Sequence, residues 1–130
     1  MVRLDFAGGN YRRPGALPAR VAEQLSDIER ETGAPVSEGA TPAGRLARLL
    51  AALHGREGRR VVVLVDEYDQ PILDALDEPA QARVNRDDLR GLYGALKTCD
   101  AHVELTLFTG VSKFSKTSIF SGLNLSLIHI

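Results

Sequence analysis

Apolar residues along this chain gather into short runs and helical periods separated by Gly, Pro and polar turns. The clearest run is Val61-Val62-Val63-Leu64-Val65, which follows a Gly58 turn and stops at Asp66-Glu67, shortly before Pro71. Short, β-branched and bounded in this way, it predicts a strand over 61–66 buried on both faces, as in parallel sheets. Val2–Phe6 predicts a strand before it and Val103–Thr109 a third, again mostly apolar. Leu17–Thr32 carries Val21, Leu25 and Ile28 on one helical face and ends at Gly33; Ala34–Ala40 is a loop. Thr41-Pro42 opens a second helix, with Thr41 as N-cap and Pro42 in its first turn. Leu46, Leu49, Leu50 and Leu53 recur at helical spacing, and His54-Gly55 is read as its end. A short helix is expected around Pro71–Leu76, and a longer one over about 85–98 that buries Leu89, Leu92, Tyr93 and Leu96. Gly110–Ser118 is a small-polar loop, and the tail from Ile119 has no clear period.

Strands alternating with helices imply right-handed crossovers and a parallel sheet. The expected class is α/β, a three-layer α/β/α arrangement. The length of 130 residues fits one domain with a core of its own. A net charge of −1 gives no argument for binding nucleic acid or an acidic membrane. Lone Cys99 excludes an internal disulfide and a cysteine-based zinc site. No signal-peptide pattern follows Met1, and no apolar run reaches the length of a membrane span, so the expectation is a soluble, cytoplasmic protein without a membrane partner.

The candidate chemistry lies where the central run stops. Open parallel sheets place ligands beyond the carboxyl ends of their strands, and that is where Asp66 and Glu67 fall. Asp66 there suits a magnesium ion, a hard cation that takes oxygen ligands and keeps much of its water. Glu67 suits the orientation or deprotonation of a water attacking a terminal phosphate. Together they have the form of a Walker B segment, although on spacing alone a solvated acidic turn after a buried strand, which many α/β folds contain, describes them better. Phe108-Thr109-Gly110-Val111-Ser112 is the second candidate: Thr109, or alternatively Ser112, could hydrogen-bond the water or the γ-phosphate. A plain strand-to-loop turn at Gly110 is the competing explanation. Lys113 and Lys116 sit among hydroxyls in a loop that is either solvated or phosphate-facing. Arg83, Arg86 and Arg90 suit solvent, or pairing with Asp87 and Asp88, more than an arginine-finger role. His54, His102 and His129 are scattered, with no metal-ligand partner at useful spacing. A G-x-x-x-x-G-K-[S/T] loop occurs nowhere in the 130 residues.

Three blocks together resemble the AAA-ATPase-like family: Val2-Arg3-Leu4-Asp5-Phe6, the segment from Val63 through Asp66-Glu67-Tyr68-Asp69-Gln70-Pro71 to Ile72, and the segment from Phe108 to Asn124. Members of that family pair a P-loop ATPase domain with a PD-(D/E)XK nuclease-like domain. The resemblance implies a truncated P-loop NTPase core of the AAA-like, ASCE type over residues 1–124, lacking the Walker A loop, with an unmatched tail at 125–130. It puts magnesium on Asp66, water activation on Glu67 and nucleotide sensing on Thr109, with Tyr68 and Asp69 shaping the site. ATP and magnesium are the implied cofactors of the full-length parent, and a nuclease-like domain or nucleic acid its implied partners. The chain alone is expected to be inactive. Two other functions stay open, a non-catalytic α/β interaction or regulatory module and a magnesium-dependent nuclease or phosphatase. The family's strand order places Val2–Phe6 outermost and leaves the far edge of Val103–Thr109 uncovered, an aggregation hazard.

Overall fold

The computed structural model describes residues 1–36 and 40–110, together with the backbone of a short strand at 128–129. The elements run β1 (Val2–Asp5), α1 (Ala16–Thr32), α2 (Pro42–Glu57), β2 (Val61–Asp66), α3 (Gln70–Leu73) and α4 (Pro79–Thr98). A short 3-10 turn, Asp100–His102, leads into β3 (Val103–Phe108), and β4 is Ile128–His129. The four strands form one sheet in the order β1-β2-β3-β4, and every neighbouring pair is parallel. This is the α/β fold that the alternating pattern predicts, with β1 at the outer edge.

Register explains the core. Val2 and Leu4 lie opposite Val63 and Val65, and Val65 lies opposite Phe108, so these side chains share one sheet face. All five are buried, and α1, α2 and α4 add Leu17, Val21, Leu25, Leu46, Leu50, Leu89 and Leu92 against them. The central strand is not equally buried on its two faces: Val61, Val63 and Val65 are buried, whereas Val62, Leu64 and Asp66 are only half-buried. The unbroken valine run conceals that alternation, because every position carries an apolar residue whichever way it points.

Helix ends follow capping chemistry. Thr41 Oγ1 accepts from the Gly44 N–H at 3.1 Å, as its N-cap position predicts. The second helix does not stop at His54-Gly55. It continues to Glu57 and closes at Gly58, which adopts φ 68° and donates its N–H to the His54 carbonyl. α4 begins at Pro79, six residues before the Asn85 expected from sequence. Asn85 lies inside this helix, buried, and its Nδ2 donates to the carbonyls of Tyr11 (2.9 Å) and Pro71 (2.8 Å). α1 and α2 are joined by a buried ion pair, Arg45 Nη2 to Glu29 Oε1 at 2.7 Å, to which Ser26 Oγ adds a 3.0 Å bond. The far edge of β3 is not wholly uncovered either, since β4 pairs with it at Leu107 and Phe108.

Candidate functional site

β2 ends because its next residue leaves the extended region. Glu67 has φ 54°, the one non-glycine residue with positive φ among those described. Left-handed backbone at a glutamate is unfavourable, and strain of this kind gathers at functional turns. The turn is lashed to β3. The Thr109 N–H donates to the Val65 carbonyl and the Tyr68 N–H donates to the Thr109 carbonyl, both at 2.9 Å. Parallel pairing thereby continues past the ends of both strands.

The Thr109 hydroxyl sits at the centre of this rim. It donates to Asp66 Oδ1 at 2.8 Å and accepts from the Glu67 N–H at 3.3 Å. Asp66, Glu67 and Thr109 are thus brought together by adjacent parallel strands, and all three are half-buried. The other carboxylate oxygen faces Arg3: Nε donates to Asp66 Oδ2 at 2.7 Å, and Nη2 lies 2.6 Å from the same atom. Arg3 also reaches Asp5 Oδ2 at 3.6 Å, because Asp5 stands directly opposite Asp66 in the β1–β2 register. The hydrogen bond to Asp66, and then its charge, raise the pKa of the Arg3 guanidinium. The Arg3 side chain is 57% exposed, so this cation sits at the surface and a competing ion can displace it.

Behind the rim the support is aromatic. The Tyr93 hydroxyl donates to the Tyr68 carbonyl at 3.1 Å, and the Tyr68 and Tyr93 rings both meet Phe108 edge-on. Burial pushes the Tyr68 phenol up to about 12, with the Asp69 charge adding to it, and burial holds Tyr93 well above the ordinary tyrosine range. Asp69 is itself buried at the start of α3, where its carbonyl accepts from the Ile72 and Leu73 N–H groups. Gly110 is needed for space rather than for a turn. A Cβ there would lie 2.5 Å from the Tyr68 ring and 3.0 Å from Asp69 Oδ1.

Ser112, the alternative to Thr109, lies outside the described residues, as do Lys113 and Lys116. Among the described residues no group of three or more His, Cys, Asp or Glu could hold a metal ion. Asp66, with Thr109 as its hydroxyl partner, thus offers few protein oxygens to an ion, which suits one that retains most of its water. A cleft of about 370 Å³ lies elsewhere, between α1, α2 and α4, with Leu17, Val21, Leu89 and Leu92 among its lining and Asp87 and Asp88 at its side. Sequence reasoning missed Arg3. Its one available signal was the alternation along β1, which puts Arg3 and Asp5 on one face once β1 is placed beside β2.

The rim therefore joins adjacent acids at the carboxyl end of a central parallel strand to a hydroxyl from the next strand. Comparison with known proteins shows that the chain belongs to the predicted AAA-ATPase family, whose model matches residues 1–120. It is also 47% identical over 124 residues to an uncharacterized protein in the vnfD 5′ region of Azotobacter chroococcum mcd 1. That match covers 95% of this chain and 24% of the relative, so the chain spans about a quarter of the relative's length. No solved structure matches the chain. Among the described residues no helix is long and apolar enough to cross a membrane.

Proposed function

We propose that the rim formed by Asp66, Glu67 and Thr109 is the magnesium-and-water station of an ATP hydrolase whose phosphate-holding residues lie outside these 130. The observation that carries this is the 2.8 Å bond from Thr109 Oγ1 to Asp66 Oδ1. It fixes the carboxylate rotamer at the ligand-facing end of the sheet and leaves Oδ2 as the atom to face an ion. Bound magnesium would neutralise charge developing on the phosphoryl oxygens. Asp66 Oδ2 would accept a hydrogen bond from a water of the ion's shell. The Glu67 carboxylate would orient the attacking water and take its proton. Thr109 would act as the sensing residue through its bonds to both acids' segments, with Ser112 as a further contact to phosphate. Arg3 would leave Asp66 when the ion arrives. In a longer protein, hydrolysis would drive an attached nuclease-like domain or a nucleic-acid partner. The 130 residues alone would not turn over ATP.

A second reading rests on the same ion pair. With Arg3 2.6 Å from Asp66 Oδ2, the acid already has a cation, which suits a non-catalytic α/β interaction module. One experiment separates the two. The coding sequence upstream of Met1 is read for an in-frame G-x-x-x-x-G-K-[S/T], and the extended protein is assayed for ATPase activity. On the ATPase reading Glu67→Gln lowers turnover by about 10²-fold or more, the scale of a lost general base, while MgATP binding persists. An extended protein that carries the loop but turns over equally well with Glu67→Gln refutes the assignment. One with no nucleotide affinity favours the interaction module.

A further inference from the structure

At the opposite rim of the sheet, about 20 Å along β2 and β3 from Asp66, two imidazoles face each other. His54 lies in the last turn of α2 and His102 in the 3-10 turn that opens β3. Their Nδ1 atoms are 2.9 Å apart and their ring centroids 5.1 Å, at an interplanar angle of 68°. A bond at that distance needs one ring to donate and the other to accept, so the two Nδ1 atoms face each other and share one proton.

We propose that His54 and His102 form a two-histidine site for a divalent transition-metal ion of the zinc, nickel or copper type. Neutral imidazole is the ligand these ions prefer. Two nitrogens at about 2.0–2.1 Å from a tetrahedral zinc stand about 3.3 Å apart. The observed 2.9 Å therefore needs a widening of about 0.4 Å and a turn of each Nδ1 direction by about 35° off the N–N line, a movement of the two ring torsions, whose wells are broad. No proton need leave the protein: the donor ring's proton moves from Nδ1 to Nε2, and both Nδ1 lone pairs then point at the ion. Both side chains are half-buried, so solvent reaches the ion and water completes its shell. The backbone around the pair is already fixed. The His54 carbonyl accepts from the Gly58 cap, and the His102 N–H donates to the Cys99 carbonyl at 2.8 Å. Binding would tie the end of α2 to the start of β3, an added cross-link between helix and sheet. The site is independent of the ATPase assignment and uses none of its residues.

Zinc chloride and nickel chloride titrated into the full chain, followed by calorimetry and by the histidine ring NMR signals, test the proposal. The expected result is one ion per chain, shifts at His54 and His102 together, and a higher melting temperature with metal. His54→Ala and His102→Ala should each weaken binding at least tenfold, and the double variant should show no saturable binding. His54→Gln, which keeps the side-chain bulk, guards against a folding defect and should lose the ion while retaining the native circular dichroism. His129→Ala and Cys99→Ser should leave affinity unchanged. Absence of saturable binding, or binding that survives the loss of both histidines, overturns the proposal.

Discussion

The left-handed backbone at Glu67 yields a sharp test of how the site is held. An L-residue in this region carries a strain of about 1–2 kcal/mol that glycine does not. Glycine in turn loses more chain entropy on folding, about 0.5–1 kcal/mol relative to alanine. The difference predicts that Glu67→Gly is more stable than Glu67→Ala by about 0.5–1 kcal/mol, whereas glycine is ordinarily the destabilising choice. The anchoring bonds of the turn use backbone atoms of residue 67, its N–H to Thr109 Oγ1 and its carbonyl from the Gln70 N–H, so both variants keep them. Asn, which tolerates this region, should fall between the two, and β-branched Val should be the worst. For a domain of this size the Gly–Ala gap corresponds to about 2–4 °C in melting temperature. Urea unfolding followed by circular dichroism measures it directly. A Glu67→Gly variant equal to or less stable than Glu67→Ala would refute the claim that this acid is held in place at a cost to the fold.

Three further outcomes follow from the geometry. Gly110→Ala should destabilise by about 1–3 kcal/mol, because the new methyl meets the buried Tyr68 ring and Asp69; an unchanged urea midpoint would contradict the close approach. Arg45→Met should cost about 3–5 kcal/mol by leaving Glu29 buried without its cation, and adding Glu29→Leu should recover much of that loss; a double variant no better than the single one would contradict it. Stability should also fall in alkali. Burial raises Tyr11 and Tyr68 to about 12, above the ordinary tyrosine value near 10. Between those limits the unfolded chain has released phenolic protons that the native chain keeps, so the tyrosine contribution is whole below pH 10 and is lost as pH rises toward 12. Melts across that range, with Tyr11→Phe and Tyr68→Phe as comparisons, should show a shallower decline in the variants.

Sequence alone located β2 residue for residue, since an apolar run closed by two acids admits few other placements. It also identified Thr41 as a cap, while the family resemblance implied that β1 is the outer strand. It placed the start of α4 at about residue 85, six residues late, and only tertiary structure shows the Asn85 side chain spent on the Tyr11 and Pro71 carbonyls. It closed α2 at the first glycine, although Gly58, with positive φ, is the residue that takes the capping conformation. The acids and Thr109 were legible because each terminates a strand, and parallel strands bring their ends to one rim. Arg3 and the His54–His102 pair were not: their partners are 63 and 48 residues away, and the alternation along β1 points Arg3 to Asp66 only once β1 is set beside β2. The same limit applies to Glu29 and Arg45, which read as ordinary helix-surface charges until α1 and α2 pack together.

The claim on which the function rests is that Asp66 is an ion-facing carboxylate. Manganese, a paramagnetic substitute for magnesium, tests this on the chain itself through the broadening of amide NMR signals. Broadening should centre on Asp66, Glu67, Thr109 and Gly110, be abolished by Asp66→Asn and be strengthened by Arg3→Gln. Broadening elsewhere only, or a pattern at this rim indifferent to Asp66→Asn, would contradict the claim.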